Sequence, residues 1–174
     1  ESPMEVRVHT PSEKQVERVD QKIKQLTEAI KSSKSIKMTF TEDELNALIA
    51  SRKNIRDNVG DFAVEMEGDT LTAEGSIPLK DFPLLEGRYL NGLFTVDVGM
   101  KYGRLDIKPE SIVVNGKPVP EDLMVSLRQT NLADQFYNNP EQAKYVGALK
   151  SVDIQDGTLI VETQGEPPDG ITSK

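Results

Sequence analysis

Val16, Val19, Ile23, Leu26 and Ile30 recur at spacings of three and four, a period that predicts an amphipathic helix over residues 12 to 33 with one narrow apolar stripe. The same stripe fits a short coiled-coil seam, so self-association through these five residues is one expectation. Ile36, Met38 and Phe40 then alternate, predicting a short strand that runs straight into "TEDELNALIA". There Thr41 and Glu44 have the spacing of a capping box, and Phe40 and Leu45 that of a hydrophobic staple. Glu42 and Asp43 fall in the first turn, where the helix dipole favours each by roughly 0.3–1 kcal/mol. The three carboxylates thus have structural work, and no histidine or further acidic group stands at ligand spacing to make them a metal or acid–base site. Leu45, Leu48 and Ile49 share the helix face that must be buried.

Beyond Val59 the period changes to two. Phe62, Val64 and Met66 alternate, "EGDT" turns, and Leu71, Ala73, Gly75, Ile77 and Leu79 continue the alternation, predicting a hairpin. "PLKDFPLLEGRY" breaks the pattern; "LFTVDVGMKYG" and "RLDIKPESIVVNG" predict a longer hairpin turning near Tyr102 and Gly103. Pro109 favours an edge position or a bulge in its second arm. Gly87, Gly92, Gly99 and Gly103 punctuate this region and permit bends, so the sheet is expected to curl around a helix. Two or more helices follow, opened by Pro120 at an N1-like position and restarted at Pro140. "SVDIQDGTLIVETQ" predicts a closing hairpin turning at Asp156 and Gly157. The expected architecture is one α+β domain over residues 12–163, a strongly curved antiparallel meander wrapped around or packed on helices. A flexible leader (1–11) and a disordered tail (164–174) flank it.

The 174 residues, 36% of them hydrophobic, fit one sizeable core. A net charge of −8 disfavours a nucleic-acid surface, which needs a dense basic footprint. Without cysteine there is no disulfide, thiolate metal site or cysteine nucleophile. The single histidine, His9, stands in the leader, which excludes a catalytic triad or a multi-histidine metal site within one chain. Asp153, Asp156 and Gly157 lack the ligand series of a calcium loop, so neither metal nor cofactor is expected. No run approaches the roughly 20 apolar residues of a membrane span. The chain opens on Glu1, so its initiator end is expected to be missing, either through an artificial boundary or through removal of a signal or anchor.

"RYLNG" (88–92) and "VNGKPVP" (114–120), the latter with Asn115, Gly116 and Lys117, lack the ending of a phosphate cradle and are candidate partner-contact loops. Leu45, Leu48, Ile49, Leu123, Leu127, Leu132 and Phe136 are candidates to line an apolar pocket between sheet and helices.

The order of elements, "MTFTEDELNALIA" as strand and capped helix, then a meander, then "SVDIQDGTLIV", resembles bacterial exported or membrane-anchored domains carrying an "lT-E-x-E-L-N-x-L" signature. These are related to lipoproteins that look like tubular lipid-binding (TULIP) domains. The resemblance covers roughly residues 35 to 163, and the matching positions Thr41, Glu44, Leu45, Asn46 and Leu48 set the fold rather than perform chemistry. It implies a curved sheet wrapping a helix, an apolar interior for acyl chains, and an extracytoplasmic domain of the periplasm or cell envelope tethered at its N-terminus. The expected function is therefore non-enzymatic binding of a lipid or other apolar ligand. The alternative is a protein–protein interaction or scaffold module acting through the Val16–Ile30 stripe or the "VNGKPVP" loop. An enzyme using paired carboxylates would need two of them facing a cleft at roughly 5–10 Å, which the sequence does not display.

Overall fold

A computed structural model describes residues 10–53, 61–78 and 89–165. Its elements, in chain order, are α1 (Glu13–Lys31), β1 (Lys37–Thr41), α2 (Glu42–Ser51), β2 (Asp61–Glu67), β3 (Thr70–Pro78), β4 (Tyr89–Lys101), β5 (Arg104–Val114), β6 (Lys117–Pro118), α3 (Glu121–Leu127), α4 (Asp134–Tyr137), α5 (Pro140–Val146), β7 (Leu149–Gln155) and β8 (Thr158–Thr163). The expected leader and tail lie outside the described residues except for Thr10, Pro11, Gln164 and Gly165, as do Leu79, Gly87 and Arg88. The architecture is α+β with two antiparallel sheets, β1-β8-β7 and β2-β3-β4-β5-β6.

Local chemistry sets both long helix starts. At α1 the Ser12 side chain accepts the Gln15 amide while the Gln15 side chain accepts the Ser12 amide, a second capping box beside that of Thr41 and Glu44. α1 ends where Ser33 turns left-handed (φ 51°), and the Ser33 and Lys34 amides donate back to the Ile30 and Ala29 carbonyls. That is a Schellman stop with serine in glycine's usual place.

In the three-stranded sheet the register aligns Met38, Val161 and Val152 in one row, and Phe40, Leu159 and Ile154 in the next. Val19, Ile23 and Leu26 of α1 and Leu45, Ala47 and Leu48 of α2 pack in the core built on these rows. Fully burying each large apolar side chain stabilises by roughly 1.5–3 kcal/mol. The α1 stripe thus serves the chain's own core, with Val19 at 0% exposure and Val16 and Ile30 half-buried at its ends.

The five-stranded sheet puts Val64, Met66, Phe94, Val96 and Ile112 on its inner face, all buried. Met124 of α3 joins Phe94, Val96 and Ile112 in a second cluster. β4 begins earlier than the pattern predicted: Tyr89–Gly92 pairs with β3, so "RYLNG" is strand from Tyr89 on and not a connector. The alternation missed this because Asn91 and Gly92 interrupt it. Gly92 permits close approach, since a Cβ there would lie 2.4 Å from the Val113 carbonyl oxygen.

Pro109 sits at a bulge: Val96 pairs with Pro109 and Thr95 with Ser111, leaving Glu110 as the extra residue. Pro120 is the N-cap of α3 rather than its N1 residue, while Pro140 is inside the first turn of α5, as predicted. Three hairpins turn at Tyr102–Gly103, Asn115–Gly116 and Asp156–Gly157, every one of these residues having positive φ as a type I′ turn requires, while the β2–β3 hairpin turns at Gly68–Asp69 with positive φ at Gly68 alone.

Candidate functional site

The seven apolar candidates separate in space. Leu45, Leu48 and Phe136 pack against the core of the three-stranded sheet, and Leu127 against the cluster under α3. Ile49 is half-buried, while Leu123 and Leu132 are exposed at 55% and 40%. A depression of about 380 Å³ is lined by Asp97, Lys108, Pro109, Glu110 and Arg128, and includes none of the seven. Its cations are engaged: Arg128 donates to the Glu110 carbonyl and pairs with Glu121, and Lys108 lies 3.7 Å from Asp106.

The "TEDELN" stretch brings its polar groups together for backbone work. Glu44, 5% exposed, accepts the Thr41 amide at 3.0 Å and the Lys22 ammonium at 2.7 Å. Lys22 also donates to the Thr39 carbonyl at 2.6 Å, which ties α1 to the outer edge of β1. Burial pushes the Glu44 carboxyl up, but the Lys22 hydrogen bond, the Thr41 amide and the charges of Lys22 and Arg18 together hold it below its ordinary value.

Glu42 accepts the Met66 amide at 2.9 Å, and Asn46 accepts the Val64 amide and donates to the Val64 carbonyl, both at 2.8 Å. These groups occupy the outer edge of β2, where unpaired backbone would otherwise invite another strand. The local capping box was legible in the sequence. The edge role of Asn46 was not, because its partner lies in another element.

The outer edge of β5 is closed in the same way by the chain after β6. Tyr137 Oη accepts the Leu105 amide at 2.7 Å; Asn131 donates to the Leu105 carbonyl and accepts the Ile107 amide, both at 2.9 Å. The Leu132 amide donates to the Ile107 carbonyl and the Val119 amide to the Ile112 carbonyl, each at 2.8 Å. Pro109 has no donor to satisfy. Nothing in the spacing of Asn131 or Tyr137 could have announced this.

Asn115, Gly116 and Lys117 are exposed at the β5–β6 turn. Asp153, weighed against a calcium loop, accepts the Ile154 amide and the Gln155 side chain instead. Among the described residues no helix is long and apolar enough to cross a membrane. Comparison with protein families, characterised proteins and solved structures gave no match.

Proposed function

We propose that the chain is a non-enzymatic, extracytoplasmic and membrane-tethered domain that takes a lipid or other apolar ligand on the inner face of its five-stranded sheet, with the sheet curving around the ligand. The observation that carries this reading is that the inner face stays half-open at Phe62, Leu71, Ala73 and Val114, on three strands, although neighbouring residues of that face are buried. Ligand surfaces are commonly concave and mostly apolar. Curvature is supported by the bulge at Glu110 and by the close approach of β4 to β5 at Gly92, both of which bend a sheet. The likeness of Thr41–Leu48 to tubular lipid-binding domains points the same way. Glu42 and Glu44, which could have suggested acid–base chemistry, are committed to backbone amides and Lys22.

Native mass spectrometry of the protein incubated with a mixed bacterial lipid extract tests the proposal. A stoichiometric adduct is expected, lost in Ala73→Phe, which fills the face between Val64 and Phe94 without adding charge. A clean apo mass would refute it and favour an interaction module, for which the exposed Leu93, Leu123 and Val125 would be the contact residues.

A further inference from the structure

Three type I′ turns in one chain allow a comparison within the molecule. Two follow the expected chemistry, with Asn115 or Asp156 at the first left-handed position and Gly116 or Gly157 at the second. The third places Tyr102 there, at φ 52° and 94% exposed. A bulky residue in the left-handed region is strained, and its ring gains nothing from burial. The residues flanking this turn, Lys101 and Arg104, are direct cross-strand partners, so like charges face each other. At the other two turns the flanking pairs are Val114 with Lys117 and Gln155 with Thr158, which carry no such conflict.

The tip of the β4–β5 hairpin therefore breaks turn chemistry, burial and charge pairing at once. Local conflicts of this kind concentrate where function demands them. The Lys101 ammonium lies 5.8 Å from the Tyr102 ring centroid and has no carboxylate partner among the described residues. Arg104 lies over the Tyr137 ring at 3.9 Å, with Asp134 at 3.4 Å. In a chain of net charge −8, the Lys101 ammonium beside an exposed phenol, with Arg104 held next to it by Asp134 and Tyr137, forms a local basic, amphipathic point.

We infer that this tip is a contact for an anionic phospholipid surface. Tyrosine suits the headgroup layer, where its ring is sheltered and its hydroxyl stays wet. Nearby Lys and Arg are attracted by anionic lipid within about a Debye length. A convex hairpin tip matches a soft, continuous layer better than a shaped pocket on a partner protein. The inference concerns a different surface from the inner face and stands whether or not that face holds a ligand.

The test exploits the absence of tryptophan from the chain. Tyr102→Trp installs a single indole at the tip, in a position as strained as the original. Its emission is expected to shift to the blue on phosphatidylcholine vesicles containing phosphatidylglycerol, and to stay unchanged on phosphatidylcholine alone. Lys101→Glu in that background, which turns the like-charged pair into an opposite one, is expected to abolish the shift, as is high salt. Tyr102→Asn in the otherwise native chain should raise the thermal midpoint while removing sedimentation with anionic vesicles. No shift on anionic vesicles overturns the inference. An equal shift on neutral vesicles, or sedimentation that survives both Tyr102→Asn and Lys101→Glu, also overturns it.

Discussion

Replacing Asn131 by alanine tests whether one side chain closes the edge of β5. The Asn131 amide makes three bonds of 2.9 Å, to the Leu105 carbonyl, the Ile107 amide and the Ala133 amide. A net contribution of about 0.5–1.5 kcal/mol per bond, with part-buried groups left partly unpaired, gives a loss of about 2–4 kcal/mol. Asn131→Asp keeps an acceptor for both amides but sets an oxygen against the Leu105 carbonyl, so its loss should be smaller, about 1–2 kcal/mol.

Urea unfolding is the assay, with the midpoint falling and the slope unchanged, because the surface exposed on unfolding is the same. Hydrogen exchange gives a sharper readout within one strand. In Asn131→Ala the Ile107 amide should lose protection, while the Leu105 amide, held by Tyr137 Oη, should keep it. A variant within about 0.5 kcal/mol of the parent, the usual range for neutral surface changes, with the Ile107 amide still protected, would refute the reasoning.

Gly92→Ala should cost at least about 1–3 kcal/mol, because the added methyl meets a backbone oxygen rather than a flexible side chain. Gly99→Ala in the same strand, with nothing within 4 Å and no positive φ, should be neutral or stabilising by up to about 1 kcal/mol in thermal unfolding. Since the folded-state pKa of Glu44 is lowered, its contribution to stability is present above the unfolded-state value and is lost as pH falls through the folded-state value. Lys22→Met removes the main cation that lowers this value and brings it back toward the unfolded-state one, so the urea midpoint should fall less with decreasing pH than in the parent; superimposable pH profiles would sink this assignment.

The parts of the fold legible in the sequence were those whose causes are local. The Thr41–Glu44 box, the Asp156–Gly157 turn and the strand alternation each need only a few neighbouring residues, and each is present. The bulge at Pro109 was legible because a missing donor has few permitted places in a sheet. What failed to show was whatever depends on a distant partner. Tyr89–Gly92 is a strand because β3 pairs along all of it and β5 joins at Gly92, although its own pattern is broken. Periodicity placed Leu123 and Leu132 among the candidate pocket residues but could not say what covers them, and both are exposed. Val19, one of five equivalent members of its stripe, is the one that is fully enclosed.

The inner face and the strained tip share β4, which constrains how they could work together. Gly92 and Tyr102 are separated by ten residues, up to about 33 Å along an extended strand. That distance is comparable to the whole hydrocarbon core of a bilayer, about 30 Å, and so exceeds what the chain of one leaflet spans. A lipid seated near Phe62 and Val114 could not keep its headgroup in a membrane touched by Tyr102. Between the two lies packed core, with Val98, Met100 and Leu105 of the same hairpin facing Val152 and Met38. The tip would therefore orient the domain against a membrane rather than feed the inner face directly. Any ligand on that face would be held wholly out of the bilayer. Loss of tip contact in Lys101→Glu should then leave the lipid adduct in native mass spectra intact, so the two proposals fail or stand separately.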